Sequence, residues 1–144
     1  KNPGKKIFET DLVKSAIFGN WPEYGGGLIK TKLVDLAVMA AMKRKARKNF
    51  KEEDAHAMMG SDVLTISYRG GEDVFKIKLS QGGRLIESVR MLRPDMSKKS
   101  ENGHAAFYSV SFPYAKLDLE KRTTILVLKD FGDEKYEVDF SRIK

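Results

Sequence analysis

The chain has 144 residues, 41% of them apolar, enough for one full hydrophobic core and no reason to invoke a second domain. It contains no cysteine, which excludes disulfides, thiolate metal sites and a thiol nucleophile. The formal charge of +7 is concentrated early: residues 1–60 carry 12 basic and 7 acidic groups, whereas residues 61–144 carry 15 and 13.

The opening KNPGKK is polar, has a Pro-Gly turn and is expected to be loose unless something docks it. From Ile7 to Phe18 the apolar residues Ile7, Phe8, Leu12, Val13, Ala16 and Ile17 follow a helical stripe, which predicts a short amphipathic helix. Next comes Gly19 to Gly27 (GNWPEYGGG), a loop of structure-breaking residues carrying the only tryptophan. Trp21 and Tyr24 offer aromatic faces there and form a candidate contact surface; the plainer account makes Trp21 a plug at the edge of the core. The three glycines lack the Gly-Lys-Ser/Thr ending of a phosphate loop.

Thr31 to Phe50 is the longest expected helix, with Thr31 as its N-cap. Between Leu33 and Met42 only Asp35 is polar, so this half is expected to be buried on most sides. Ten such residues span about 15 Å, half of what a bilayer core requires. The second half holds Lys43, Arg44, Lys45, Arg47 and Lys48, followed by Lys51. These cations complement the negative end of the helix dipole, and they are also candidate contacts for the phosphates of nucleic acid or for anionic lipid. Lys51 to Gly60 predicts a second short helix or an extension of the first, ended by Gly60. Its acidic Glu52, Glu53 and Asp54 can pair with those cations, and His56 has no second histidine at a ligand spacing.

The remaining residues have β patterning. Asp62–Arg69 and Glu72–Leu79 flank Gly70-Gly71, which predicts a hairpin with Ile66 opposite Phe75 and Leu64 opposite Ile77. Arg84 to Arg93 (RLIESVRMLR) fits either a helical face or a strand; the Gly82-Gly83 connection favours a strand, ended by Pro94. Pro94 to His104 is expected to be an exposed loop, with His104 unpartnered. Ala105 to Tyr114 alternates Tyr108, Val110 and Phe112 against Ser109 and Ser111. Leu117–Arg122 is a connection, and Thr123–Lys129 with Glu134–Phe140 forms a second hairpin about Asp130-Phe131-Gly132-Asp133.

Five or six short strands behind helices predict a mainly β domain, residues 1–144 as one unit, with a helical extension over 1–60 and β structure over 61–144. The expected architecture is a small antiparallel immunoglobulin-like β-sandwich; the alternative is an α+β fold with helices on one face of an antiparallel sheet. In FYSVSFPYAKLDLEKRTTILVLKDFGDEKYEVDFSRIK, an F-P strand end, a polar connection, a T-x-x-L-x-L-x-D strand and a closing V-D-F-S strand follow in order. That quarter of the chain resembles the C-terminal region of small uncharacterised exported bacterial proteins. The resemblance implies an extracytoplasmic sandwich without enzymatic activity and transfers no functional residues.

No Gly-x-Ser-x-Gly elbow, His-Glu-x-x-His, phosphate loop or calcium loop occurs. The expectation is therefore a non-enzyme that needs no cofactor or metal: an exported, periplasmic or cell-envelope module acting through contact with a protein partner. A cytoplasmic location stays open. The alternative is a binder of nucleic acid or anionic lipid through the basic helix, residues 43–51.

Overall fold

The computed structural model describes residues 11–45, 62–71, 73–94 and 107–143. A short helix α1 (Asp11–Ser15) leads into strands β1 (Ile17–Gly19) and β2 (Gly26–Lys30), followed by helix α2 (Lys32–Lys45). Seven strands complete the fold: β3 (Val63–Arg69), β4 (Val74–Gln81), β5 (Arg84–Ile86), β6 (Arg90–Leu92), β7 (Phe107–Pro113), β8 (Arg122–Lys129) and β9 (Glu134–Asp139). They form two antiparallel sheets, one in the order β1-β2-β3-β7-β6 and one in the order β5-β4-β8-β9. With β2, β3, β7 and β6 as A, B, E and D, and β4, β8 and β9 as C, F and G, this is the order of a constant-type immunoglobulin sandwich. Strand β1 is added beside A and β5 beside C. The protein is thus mainly β, an immunoglobulin-like sandwich as the strand pattern predicts.

Period-two alternation supplies the core. Leu64 pairs with Phe112, Ile66 with Val110 and Tyr68 with Tyr108 across β3 and β7. Ile77 pairs with Val127 and Leu79 with Ile125 across β4 and β8. All ten side chains are buried in one cluster, and burying each contributes about 1.5–3 kcal/mol.

The expected hairpin around Gly70-Gly71 does not form. Both strands exist, but β3 pairs with β2 and β7, and β4 pairs with β5 and β8. The chain crosses between the sheets instead, because each strand has an apolar face that needs cover and the facing sheet provides it. A Cβ on Gly70 would lie 2.6 Å from the Tyr68 ring, so this glycine serves close packing. The expected pairing of Phe75 with Ile66 fails for a local reason too. The register shifts between Val74 and Lys76, which turns Val74 inward and leaves Phe75 49% exposed.

Residues 84–93 are extended, as expected, but are divided between the sheets: β5 pairs with β4 and β6 pairs with β7. The hairpin of β8 and β9 is as expected, with Ile125 opposite Tyr136 and Thr123 opposite Val138.

Thr31 caps α2 as predicted, its hydroxyl accepting from the Val34 amide at 3.2 Å. The burial expected for this helix is corrected. Among its described side chains only Val34 is buried, and Leu33 is 54% exposed. The two sheets cover each other, so α2 packs against α1 and β2 at the sandwich margin instead of on a sheet face. Both helices fall in the expected N-terminal extension, which also contributes Ile17–Gly19 and Gly26–Lys30 as strands of the first sheet. Ile17 and Phe18 accordingly leave the stripe that predicted a helix to Phe18, and α1 stops at Ser15. The expectations for residues 1–10, for the helix over Lys51–Gly60 with His56, and for the loop from Asp95 to His104 fall outside the described residues.

Candidate functional site

The sandwich has one side on which both sheets end close together. There β1 terminates the first sheet and β9 the second, and the two strands approach each other. At Gly19 a Cβ would come within 2.9 Å of the Tyr136 ring. Toward the other end of β9 they leave a groove of about 580 Å³. Its apolar lining comes from Ile17, Phe18, Ile29, Val138 and Ile143, and its rim carries Arg122, Lys135, Glu137, Asp139 and Arg142. The rim acids are engaged internally. Glu137 accepts from the Thr124 hydroxyl at 2.9 Å, and Asp139 accepts from the Ser141 amide at 3.0 Å and its hydroxyl at 2.6 Å. The Ser141 bonds, chiefly the one from the hydroxyl, hold the Asp139 carboxyl below the usual carboxylate range.

Above the groove the β1–β2 connection folds back on itself. The Asn20 amide donates to the Gly25 carbonyl at 3.1 Å, and the Gly25 amide donates to the Arg69 carbonyl at 3.0 Å. Gly26 is required by this path, since a Cβ there would sit 2.1 Å from the Trp21 nitrogen. The Arg69 guanidinium donates to the Pro22 carbonyl at 2.7 Å and lies over the rings of Tyr24 and Phe107, 5.9 and 5.4 Å from their centroids. Trp21 packs on Phe107 at 5.3 Å and joins the edge of the core, as its plainer reading predicts. Tyr24 is 55% exposed. Arg69 thus joins the two predicted contact residues in one aromatic cluster.

Below this loop a second cavity of about 620 Å³ is lined by Tyr24, Tyr68, Lys129, Glu134 and Tyr136, among others. Here a single carboxylate gathers donors from three strands. Glu134 accepts from the Tyr68 hydroxyl at 3.0 Å, from the Tyr136 hydroxyl, and from the Lys129 ammonium at 2.8 Å. The Tyr136 hydroxyl also approaches the Gly25 carbonyl at 3.1 Å, which ties the loop to the knot. Burial pushes the Glu134 carboxyl upward, but the bonds from Lys129, Tyr136 and Tyr68 outweigh it, and the net shift is downward. Burial first, and then the bond to Glu134, pushes Tyr136 up to about 12; burial and the contact with Tyr136 raise Tyr68 as well. At neutral pH the phenols therefore keep their protons and the carboxylate is ionised and saturated with donors. Such a knot holds a loop and two sheets together and offers no ready base or nucleophile.

Lys43, Arg44 and Lys45 close α2. Arg47, Lys48 and Lys51 are outside the described residues. Among the described residues no group of three or more His, Asp or Glu side chains could hold a metal ion, and no helix is long and apolar enough to cross a membrane.

Sequence reasoning passed over Tyr68, Lys129, Glu134 and Tyr136. A cue was present: Glu134, Tyr136 and Val138 share one face of a strand, and Lys129 stands across the turn from Glu134. Tyr68 and Gly25 are remote in sequence and join only through folding. No protein-family model, curated protein or solved structure matches the chain.

Proposed function

We propose that this chain is a non-catalytic, exported or envelope-associated module that works by protein contact through its β1–β9 side. The observation that carries the proposal is that two sheet-terminal strands flank an apolar groove with a charged rim. The outer edge of such a strand exposes backbone donors and acceptors, and a groove beside it accepts alternate side chains of an added segment. The Trp21–Tyr24 loop borders the same side and extends the surface. Export is supported by the resemblance of the C-terminal quarter alone. A photo-crosslinking amino acid at Arg142, exposed on the groove rim, tests the contact surface: protein adducts are expected there, and not from the same group at Leu85 on the opposite edge. Adducts from Leu85 alone would move the surface and overturn the reading. Recovery of the full-length product from the cytosol would remove export.

A second reading, binding of nucleic acid or anionic lipid, is favoured by one observation. Helix α2 extends to Lys45, which puts Lys43, Arg44 and Lys45 in its last turn. Changing Arg44, Lys45 and Lys48 to glutamine should then weaken binding to duplex DNA or acidic vesicles, and the salt dependence should become shallower by about one unit of slope for each phosphate no longer neutralised. Binding that is undetectable in the unmodified protein, or indifferent to salt, removes this reading.

A further inference from the structure

We propose that the β9 edge pairs with β9 of a second copy of this chain, antiparallel and centred on Tyr136, so that the second sheets of two copies become continuous. This rests on the reading of the β1–β9 side as a contact surface, and it names the partner.

Strand β9 pairs with β8 over all six residues without a bulge, and among the described residues no backbone bond reaches its outer edge. Natural edges are blunted by bulges, by shortness or by charge. Here only charge is present, and its arrangement is self-complementary. Lys135 and Glu137 point to solvent on either side of Tyr136, while Glu134, Tyr136 and Val138 lie on the inner face.

Faces must match in a continuous sheet, so only registers that pair outward residues with outward residues are allowed. Centring on Tyr136 sets Lys135 opposite Glu137 of the second copy, and Glu137 opposite Lys135 of the second copy. Centring on Lys135 or on Glu137 sets that charge against its own twin, which is unfavourable. Centring on Glu137 also brings Lys135 opposite Asp139, but only centring on Tyr136 unites opposite charges twice without setting a charge of the strand against its twin. A foreign strand would need to carry this pattern by coincidence; a second copy has it by construction. Thr124 already donates to one oxygen of Glu137, and the other stays open to Lys135. On the inner face Tyr136 meets its twin and Glu134 meets Val138, while Val138 and Ile143 at the groove gain cover. Six residues of edge make a small interface, so association should be weak and concentration-dependent.

Sedimentation of the full chain tests this, using wild type, Lys135→Glu, Glu137→Lys, the double swap, and an equal mixture of the two single variants. Both positions are exposed, so unchanged circular dichroism serves as the folding control. Wild type should form dimers as concentration rises. Each single variant should weaken dimerisation by about tenfold or more, since two attractions become two repulsions. The double swap should restore it, and so should mixing the two single variants, whose β9 strands then carry two acids and two bases. Wild type that stays monomeric at its solubility limit, single variants that dimerise normally, or a mixture that stays monomeric would each overturn self-pairing. A crosslinker at Arg142, which leaves Lys135 and Glu137 intact, separates the two claims. Adducts between copies support self-pairing. Adducts only to a different protein overturn it and leave the contact reading standing, and adducts within one chain, or none at all, end both.

Discussion

Gly26→Ala is expected to destabilise the fold by about 3 kcal/mol, the upper end of the usual cost of overpacking, when measured by chemical denaturation. The added Cβ would lie 2.1 Å from the Trp21 nitrogen, 2.5 Å from the Asn20 nitrogen and 2.8 Å from the Asn20 carbonyl carbon. All three are backbone atoms, so no side-chain rotation relieves the overlap and the β1–β2 connection must open. Gly25→Ala is the comparison that decides between crowding and backbone preference. Gly25 has φ of +78°, but its Cβ would meet nothing closer than the Tyr136 hydroxyl at 3.7 Å. It should cost only the left-handed penalty, about 1 kcal/mol. Equal losses at the two positions would show that the connection is folded less tightly than these distances require. Because the same connection carries Trp21 and Tyr24 and lines the cavity beside Glu134, Gly26→Ala should also reduce crosslinking from Arg142.

Glu134→Ala is expected to cost about 2–3 kcal/mol, since it removes the acceptor of two phenols and an ammonium and leaves the buried Tyr68 hydroxyl with only the Tyr136 hydroxyl, 3.5 Å away. Glu134→Gln keeps the shape and an acceptor and should cost about half as much. The pH dependence carries the sharper test. The folded-state pKa of Glu134 is depressed, so its stabilisation is present above the ordinary carboxylate value and is lost as pH falls through the lower folded value. Wild type should therefore lose stability on acidification below about pH 4.5, and Glu134→Gln should lose less over the same interval. Asp139 is depressed as well and keeps part of the acid limb in the variant. Identical acid limbs in the two proteins would mean that the knot does not stabilise the ionised carboxylate.

Much of the fold is legible in the residues because its main signal is local. Tyr108, Val110 and Phe112 alternate, Thr123 to Asp139 contains a complete hairpin, and Thr31 announces the helix it caps. The pairing of β3 was not legible. Gly70-Gly71 is as good a turn between strands of one sheet as it is a crossing between two, and only the need to cover both apolar faces selects the crossing. The same need explains α2. Its apolar run invites burial on a sheet, yet the sheets already use their faces on each other.

The candidate site divides in the same way. Trp21 and Tyr24 were visible as aromatics in a loop of glycines, but Arg69 and Phe107, which organise them, come from β3 and β7. The groove has no sequence signature, since its lining is ordinary strand alternation seen from the side on which two sheets end.

What the sequence by itself determined is therefore most of the strands after residue 62, their buried faces, the cap of α2 and the absence of thiol chemistry, because each follows from residue type and near-neighbour spacing. The partners of each strand, the margin position of α2, the knot around Glu134 and the open β1–β9 side were decided only in the tertiary structure. The reason is physical: strand pairing and the convergence of side chains depend on which apolar faces remain uncovered, a property of the whole chain and of no segment within it.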